Sequence, residues 1–293
     1  MKGHSSLLGF SKTELRDKIC SLVPSWRDDA LEDFDFLSGG YSNANIAFTR
    51  RSADQNERYV LRIPQRLQPY VNRVAESAWY LGLPPSVGIR PVALDIPTGQ
   101  MISAWVDGEL LVDVFADRFS ENDLLTYLHT LHGALPCVAE QYNVPALLAD
   151  FVGPSEQART LVDALPNALT QVHQPGHTVT CHNDLNPWNI LVTPDGWVTL
   201  DWEFVGQNDA LFDLVSLHQG LELEVESLPD LASNWARGWA HDYSAERLTQ
   251  AFGQFWLREW GWARFQMNAG NRRDEVSTQA AVAEAMLANL PQF

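Results

Sequence analysis

Polar side chains in the second half of the chain have types and spacing suited to phosphoryl transfer. His182, Asp184 and Asn189 follow the pattern H-x-D-x-x-x-x-N, in which the Asp orients or deprotonates an attacking hydroxyl and the Asn binds a metal. Asp201 follows across a predicted hairpin, which would return its carboxylate to the same metal. Magnesium prefers carboxylate, amide and phosphate oxygens. We therefore predict Asp184 as the base, and Asn189 and Asp201 as catalytic ligands of Mg²⁺.

Glu203, two residues after Asp201, is a further candidate that would bind the metal through water or face the substrate. A structural alternative exists, because His182, Asp184 and Asn189 could merely cap and brace a turn rich in Asn and Pro. The hairpin with an Asp at its far end favours catalysis over bracing.

Candidates for the nucleotide side lie earlier in the chain. In Ser38-Gly39-Gly40-Tyr41-Ser42-Asn43 the glycines would let backbone amides approach phosphate oxygens, although a Gly-Gly pair also suits a plain turn. Arg62 can form paired bonds to phosphate, and Glu76 is the carboxylate expected to hold it. The alternative is a surface arginine and a solvated glutamate. We predict that Ser38, Gly39, Gly40, Asn43, Arg62 and Glu76 bind ATP.

Tryptophans in the C-terminal helices are the candidates for the acceptor side. The chain has eleven tryptophans, and Trp256 and Trp260 are four residues apart on one predicted helix, where they would share a face. Their rings could hold a quaternary ammonium or thiazolium group by cation–π attraction. An aromatic stripe at helical spacing also suits a buried core.

The charge of the chain narrows the classes of partner. The 20 basic and 37 acidic residues give a formal charge of −17, which disfavours nucleic acid and anionic membrane surfaces and favours a cationic small molecule. Cys20, Cys137 and Cys181 are odd in number and widely spaced, which favours a reducing compartment. No apolar run is long enough for a membrane span, and the first ten residues do not resemble a signal peptide. We predict a cytoplasmic protein; the sequence carries no signal for its oligomeric state.

The elements that position these residues change character near Gly108. Before it, short alternating runs predict three antiparallel strands, a helix at 72–81 and two more strands at 87–94 and 100–106. After it, helices are predicted at 121–131, 155–172, 210–219, 231–242, 245–268 and 275–290, with a hairpin at 190–200. The prediction is an α+β chain with an N-terminal lobe, 1–107, and a mainly helical C-terminal lobe, 108–293.

Four motifs in this order resemble the choline and ethanolamine kinases and the related thiamine kinases, within the aminoglycoside phosphotransferase superfamily. They are Leu37-Ser38-Gly39-Gly40 with Ser42-Asn43, Tyr59-Val60-Leu61-Arg62-Ile63-Pro64, Cys181-His182-Asn183-Asp184-Leu185-Asn186-Pro187 with Asn189-Ile190-Leu191, and Leu200-Asp201-Trp202-Glu203-Phe204. The resemblance covers roughly residues 36–217, and the segment around Asp184 is its most specific part.

The resemblance implies a protein-kinase-like two-lobe fold with ATP between the lobes. It also implies that the backbone at Ala104 and Val106 meets adenine, that arginine at position 62 is normal for this branch, and that Asp213 braces the catalytic loop. The chain departs from the family pattern at Trp188, where a small residue is usual, and at Tyr41. Both departures bear on the substrate and leave the reaction class unaffected.

The sequence therefore predicts a magnesium-dependent kinase for a small cationic alcohol, with choline or ethanolamine first and thiamine close behind. An aminoglycoside-type phosphotransferase is the alternative within the enzyme class, because aminoglycosides are polycations. A nucleotide-binding module without catalysis is the alternative outside it.

Overall fold

The computed structural model describes residues 9–37, 42–53, 55–153, 155–166, 169, 178–239 and 243–293. Contacts between Cα atoms divide the chain into two compact units, 1–108 and 109–293. Among the helices of the described residues, none combines the length and the apolar character needed to cross a bilayer.

The first unit is built on a five-stranded sheet in the order β1-β2-β3-β5-β4, with every neighbouring pair antiparallel. Its strands are β1 (Ala30–Leu37), β2 (Asn43–Arg51), β3 (Asn56–Pro64), β4 (Pro91–Asp95) and β5 (Gln100–Ala104). The strand predicted to start at residue 87 starts only at Pro91, because residues 84–88 form a turn in which the amide of Val87 donates to the carbonyl of Pro84.

Two α-helices of the described residues accompany this sheet. α1 (Lys12–Leu22) starts with a capping box, in which Ser11 Oγ accepts from the amide of Glu14 and the Glu14 carboxylate accepts from the amide of Ser11. Leu15 and Ile19 of this helix are fully buried in the core with the inward residues of the strands. α2 (Arg73–Gly82) turns Glu76 inward together with two aromatic side chains.

The second unit is mainly helical, as the sequence predicts. Its helices are α3 (Leu111–Arg118), α4 (Glu121–Ala134), α5 (Val144–Val152), α6 (Glu156–Ala164), α7 (Ala210–Gly220), α8 (Leu228–Trp239), α9 (Ala245–Asn268) and α10 (Asp274–Ala288). α9 packs against α5, α7 and α10, and thirteen of its residues are buried, so it forms the centre of this unit.

Two small antiparallel sheets support the loops of the second unit. β6 (Glu109–Leu110), β8 (Ile190–Thr193) and β9 (Gly196–Thr199) form one, and β7 (Thr178–Cys181) with β10 (Gly206–Asp209) forms the other. The hairpin of β8 and β9 was predicted. The pair β7 and β10 was not, because strands of four residues leave too short an alternation to detect.

Candidate active site

The segment 182–189 leaves β7 and is anchored by Asp213, which lies in the first turn of α7. Asp213 Oδ2 accepts hydrogen bonds from the amide of His182, at 2.9 Å, and from His132 Nε2, at 2.9 Å. Its Oδ1 accepts from the amide of Asn183 at 2.8 Å. The carboxylate is fully buried, so these donors replace its water and fix the start of the segment.

These contacts set the ionisation state of Asp213. Burial alone would raise the pKa of its carboxyl, but the hydrogen bond and charge of His132 and the charge and backbone amide of His182 together outweigh burial. The pKa of Asp213 is therefore lowered, and the group is a carboxylate at neutral pH.

Two further side chains shape the turn. His182 Nε2 lies 2.8 Å from the carbonyl of Leu200, and its Nδ1 accepts from the amide of Asp184 at 3.2 Å. Asn183 has a left-handed backbone, with φ 64°, a conformation that Asn tolerates better than most residues. Its side-chain amide donates to the carbonyl of Phe204 at 2.9 Å. These contacts therefore fix the backbone path of the segment that follows β7 and carries Asp184.

Asp184 receives hydrogen bonds on both carboxylate oxygens. Arg258 Nη2 lies 2.7 Å from its Oδ1, and Asn186 Nδ2 donates to the same oxygen at 3.3 Å. Asn189 Nδ2 donates to Oδ2 at 3.3 Å and to the carbonyl of Asp184 at 3.0 Å. The side chain of Asp184 is 16% exposed, so it can be reached by a substrate.

Burial is the largest influence on Asp184 and raises its pKa; the positive charge of Arg258 opposes this, and the negative charge of Glu259 adds to it. The net pKa of Asp184 is raised, which makes it a stronger base than an ordinary Asp. Burial would lower the pKa of the Arg258 guanidinium, but the negative charges of Asp184 and Glu259 outweigh burial and raise this pKa well above its usual value. The pair is therefore ionic.

The hairpin places Asn189 and Asp201 at its two ends. The amide of Leu200 donates to the carbonyl of Asn189 at 2.8 Å, which closes the base of the hairpin directly before Asp201. Asp201 is in the left-handed region, with φ 57°. A carboxylate oxygen of Asp201 and one of Glu203 lie within 4.8 Å of each other.

These residues fit a hard divalent cation. Asp201 and Glu203 supply carboxylate oxygens, and Asn189 turns its Nδ2 toward Asp184, which points its amide oxygen elsewhere. Carboxylate and amide oxygens are the ligands that Mg²⁺ takes from proteins. The donor set is therefore compatible with the predicted metal.

Two of the predicted nucleotide-binding residues of the first unit, Arg62 and Glu76, contact each other. Arg62 Nη2 lies 2.7 Å from Glu76 Oε1, and Arg73 Nη1 lies 2.6 Å from Glu76 Oε2. Arg62 and Glu76 are only 4% and 1% exposed, so the alternative of a surface arginine and a solvated glutamate is excluded. Arg73 is a second cation on Glu76 that sequence reasoning missed, although its position three residues before Glu76 on α2 was a usable signal.

The other predicted nucleotide residues are placed as follows. Asn43 opens β2 and is buried. Ala104 ends β5 and pairs with Tyr59, while Val106 lies two residues beyond the strand. Ser38, Gly39 and Gly40 lie outside the described residues.

Glu76→Gln is expected to lower the free energy of unfolding by about 1.5–3 kcal/mol, because two charged hydrogen bonds in a buried site lose their anion. It should also raise the KM for ATP, since Arg62 loses its support. Denaturant unfolding and initial rates measure both. Glu57→Gln is the matched control: Glu57 accepts from Arg50 but is 41% exposed, and it should cost at most about 1 kcal/mol. Equal stabilities of the two variants would contradict this assignment.

Trp256 and Trp260 lie in the packed interior of the second unit. They are 6% and 1% exposed. Trp260 Nε1 donates to Glu284 at 2.9 Å, and the guanidinium of Arg264 lies 5.6 Å from the centroid of the Trp260 ring. The Trp256 ring packs edge-on against Phe255. Because both rings are buried, the core alternative is favoured over the cation cage. Helical spacing predicts only that two residues share a helix face, and it does not tell whether that face contacts a ligand or the protein interior.

Trp188 is an exposed aromatic residue in the segment 182–189 that carries Asp184. It lies in a short 3₁₀ turn, Pro187–Asn189, and is 55% exposed. The turn is capped by Asn186, whose Oδ1 accepts from the amide of Trp188 at 3.0 Å. Trp188 therefore presents an exposed aromatic surface four residues after Asp184 in the sequence.

Comparison with known proteins identifies the family. Residues 33–266 match the APH family, described as the phosphotransferase enzyme family. The chain belongs to this family. It shares the two-lobe protein-kinase-like fold with its structural neighbours, which include choline and ethanolamine kinases.

Individual relatives of this chain are distant. Protein LicA of Haemophilus influenzae is 23% identical over 206 residues, which are 64% of this chain and 58% of LicA. The choline kinase LicA from Streptococcus pneumoniae has 18% identity and a TM-score of 0.71, covering 94% of this chain and 98% of its own. LicA in complex with AMP has 17% identity and a TM-score of 0.73, covering 96% of this chain and 100% of its own.

Proposed function

We propose that this phosphotransferase moves the γ-phosphoryl group of ATP to the hydroxyl of a small cationic alcohol, choline or ethanolamine first and thiamine next. The observation that carries the proposal is Asp184, a partly accessible carboxylate with a raised pKa, held beside Asn189 in the segment 182–189. Support for the acceptor class comes from the choline kinase named above, which shares the fold, and from the charge of −17.

In this mechanism Asp184 Oδ2 accepts the hydrogen bond of the acceptor hydroxyl and orients its oxygen toward the γ-phosphorus. The new oxygen–phosphorus bond forms, the bond from γ-phosphorus to the bridging oxygen breaks, and ADP leaves. The hydroxyl proton passes to Asp184. Arg62, braced by Glu76, supplies a fixed cation for phosphate oxygens.

Mg²⁺ fits the oxygens of Asn189, Asp201 and Glu203, and when bound it neutralises charge on the phosphates. A cytoplasmic location is part of the same proposal, because ATP is made available there and Cys20, Cys137 and Cys181 are free thiols.

Trp188 is the residue that we assign to the acceptor in place of Trp256 and Trp260. An exposed indole can hold a cationic group over its face, with an attraction of about 0.5–2 kcal/mol. Trp188 follows the proposed base by four residues in the segment 182–189.

The test is ADP release with ATP and Mg²⁺ across choline, ethanolamine, thiamine and an aminoglycoside, with a no-acceptor control. We expect turnover with one of the first three. Turnover with the aminoglycoside alone would replace the substrate class, and ATP binding without turnover on any acceptor would favour a non-catalytic nucleotide-binding module.

A further inference from the structure

Arg258 is a buried cation in contact with the proposed base. It lies in α9 and is 7% exposed. One guanidinium nitrogen, Nη2, is 2.7 Å from Asp184 Oδ1, and the other, Nη1, contacts the carboxylate of Glu259. Its guanidinium carbon lies 5.0 Å from the centroid of the Phe204 ring. The side chain is therefore fixed by two anions and an aromatic ring.

The two carboxylate oxygens of Asp184 have different contacts. Oδ1 receives the short ionic bond of Arg258 and a bond from Asn186. Oδ2 receives only the long bond from Asn189 Nδ2, at 3.3 Å, among the hydrogen bonds of the described residues. Oδ2 is thus the oxygen with capacity for a further hydrogen bond.

Arg247, a second arginine of α9, forms an ion pair in which both oxygens of the partner carboxylate contact the guanidinium. Arg247 donates hydrogen bonds to both oxygens of Asp209, with Nε 2.8 Å from Oδ2 and Nη2 2.9 Å from Oδ1. Such a paired contact uses the whole guanidinium edge on one carboxylate. Arg258 instead contacts both Asp184 and Glu259, which leaves Oδ2 of Asp184 without an arginine contact.

We propose that Arg258 is a positioning residue that holds Asp184 by Oδ1 so that Oδ2 faces the acceptor hydroxyl. The proposal rests on the proposed function, in which Asp184 is the base. Arg258 acts through Asp184: without it, the carboxylate can rotate, and fewer bound acceptors have their hydroxyl in line with the phosphorus.

The test compares Arg258→Met and Arg258→Lys with Arg247→Met, in the full-length protein and with whichever acceptor the wild type uses. We expect Arg258→Met to lower kcat by about 100-fold, the scale of a 1 Å misplacement, with KM values for ATP and acceptor within about threefold of wild type. Arg258→Lys keeps the charge but cannot span both carboxylates, so its kcat should fall by about tenfold. Arg247→Met should lose stability and keep kcat within about threefold.

A thermodynamic cycle of Asp184→Asn and Arg258→Met, measured by denaturant unfolding, tests the contact without turnover. We expect the two changes to be coupled by at least about fivefold in the unfolding constant. If Arg258→Met does not fold, the same cycle with Arg258→Lys tests the contact between Arg258 and Asp184, and the kcat of Arg258→Lys tests the positioning role.

The proposal is overturned if both Arg258 variants keep the wild-type kcat, if only KM changes, or if Arg247→Met loses kcat equally. Additive unfolding energies in the cycle would overturn the contact itself. A wild-type protein that phosphorylates no acceptor would remove the proposed function and with it the positioning role, while the cycle still reports whether Arg258 holds Asp184.

Discussion

Asp184→Asn is expected to lower acceptor-dependent kcat by about 10²–10⁴-fold, the range that a positioned general base contributes. The amide is nearly isosteric with the carboxylate, but it cannot take the proton of the acceptor hydroxyl. Because Asp184 is assigned to the acceptor side, the dissociation constant for ATP should stay within about threefold of wild type. Initial rates and nucleotide titration measure the two quantities.

The matched control for this variant is Asp195→Asn. Asp195 is exposed in the turn between β8 and β9, and its change should leave both rate and stability near wild type. An Asp184→Asn variant that kept full turnover would show that another group is the base. One that lost ATP binding in parallel would show that Asp184 acts on the nucleotide.

Asp213→Asn is the second change with a large expected effect. Asp213 accepts from the amides of His182 and Asn183 and from His132, and an amide would turn an NH₂ group toward one of these donors. Losing one side of a buried, charged network costs on the order of 3–5 kcal/mol. We also expect kcat to fall at temperatures where the variant is still folded, since the turn that carries Asp184 loses its anchor.

The pH dependence of stability separates this network from ordinary packing. The pKa of Asp213 is lowered in the folded state, so its contribution is complete above the unfolded value of about 3.9. It is lost as the pH falls from there through the folded pKa. The stability gap between wild type and Asp213→Asn should therefore narrow in acid.

Asp209→Asn is the control for Asp213→Asn, and unfolding curves at several pH values measure both. Asp209 is a buried carboxylate at the start of the same helix, where it caps α7 and pairs with Arg247. The Asp209→Asn variant should have a lower free energy of unfolding than wild type, but its kcat should fall less than that of Asp213→Asn. A gap between wild type and Asp213→Asn that stayed constant in acid would contradict the assigned ionisation of Asp213.

Local patterns in the sequence predicted the polar segment 182–189 and the hairpin that follows it. The spacing of Asp184 and Asn189, followed by Pro194-Asp195-Gly196 as a turn, specifies a short-range geometry that depends on neighbouring residues alone. The base of that hairpin brings Asn189 beside Leu200. The capping box at Ser11 is local in the same way.

Contacts between distant segments could not be predicted in this way. Arg258 lies in a helix far from Asp184 in sequence, and nothing in the pattern of α9 distinguishes it from a solvated arginine. The spacing of Trp256 and Trp260 correctly gave a shared helix, but α9 is buried on most sides, so periodicity did not show that the rings are enclosed. Tertiary packing decided both cases.

The measurement that tests the account most directly is ³¹P NMR of wild type with ATP, Mg²⁺ and choline, ethanolamine or thiamine in separate samples, with Asp184→Asn beside each. We predict that one acceptor gives a phosphomonoester signal that grows in step with ADP in the wild type and is strongly reduced in the variant. ADP accompanied only by inorganic phosphate, or ester formation at the wild-type rate by Asp184→Asn, would contradict the proposed phosphoryl transfer to a small alcohol through Asp184.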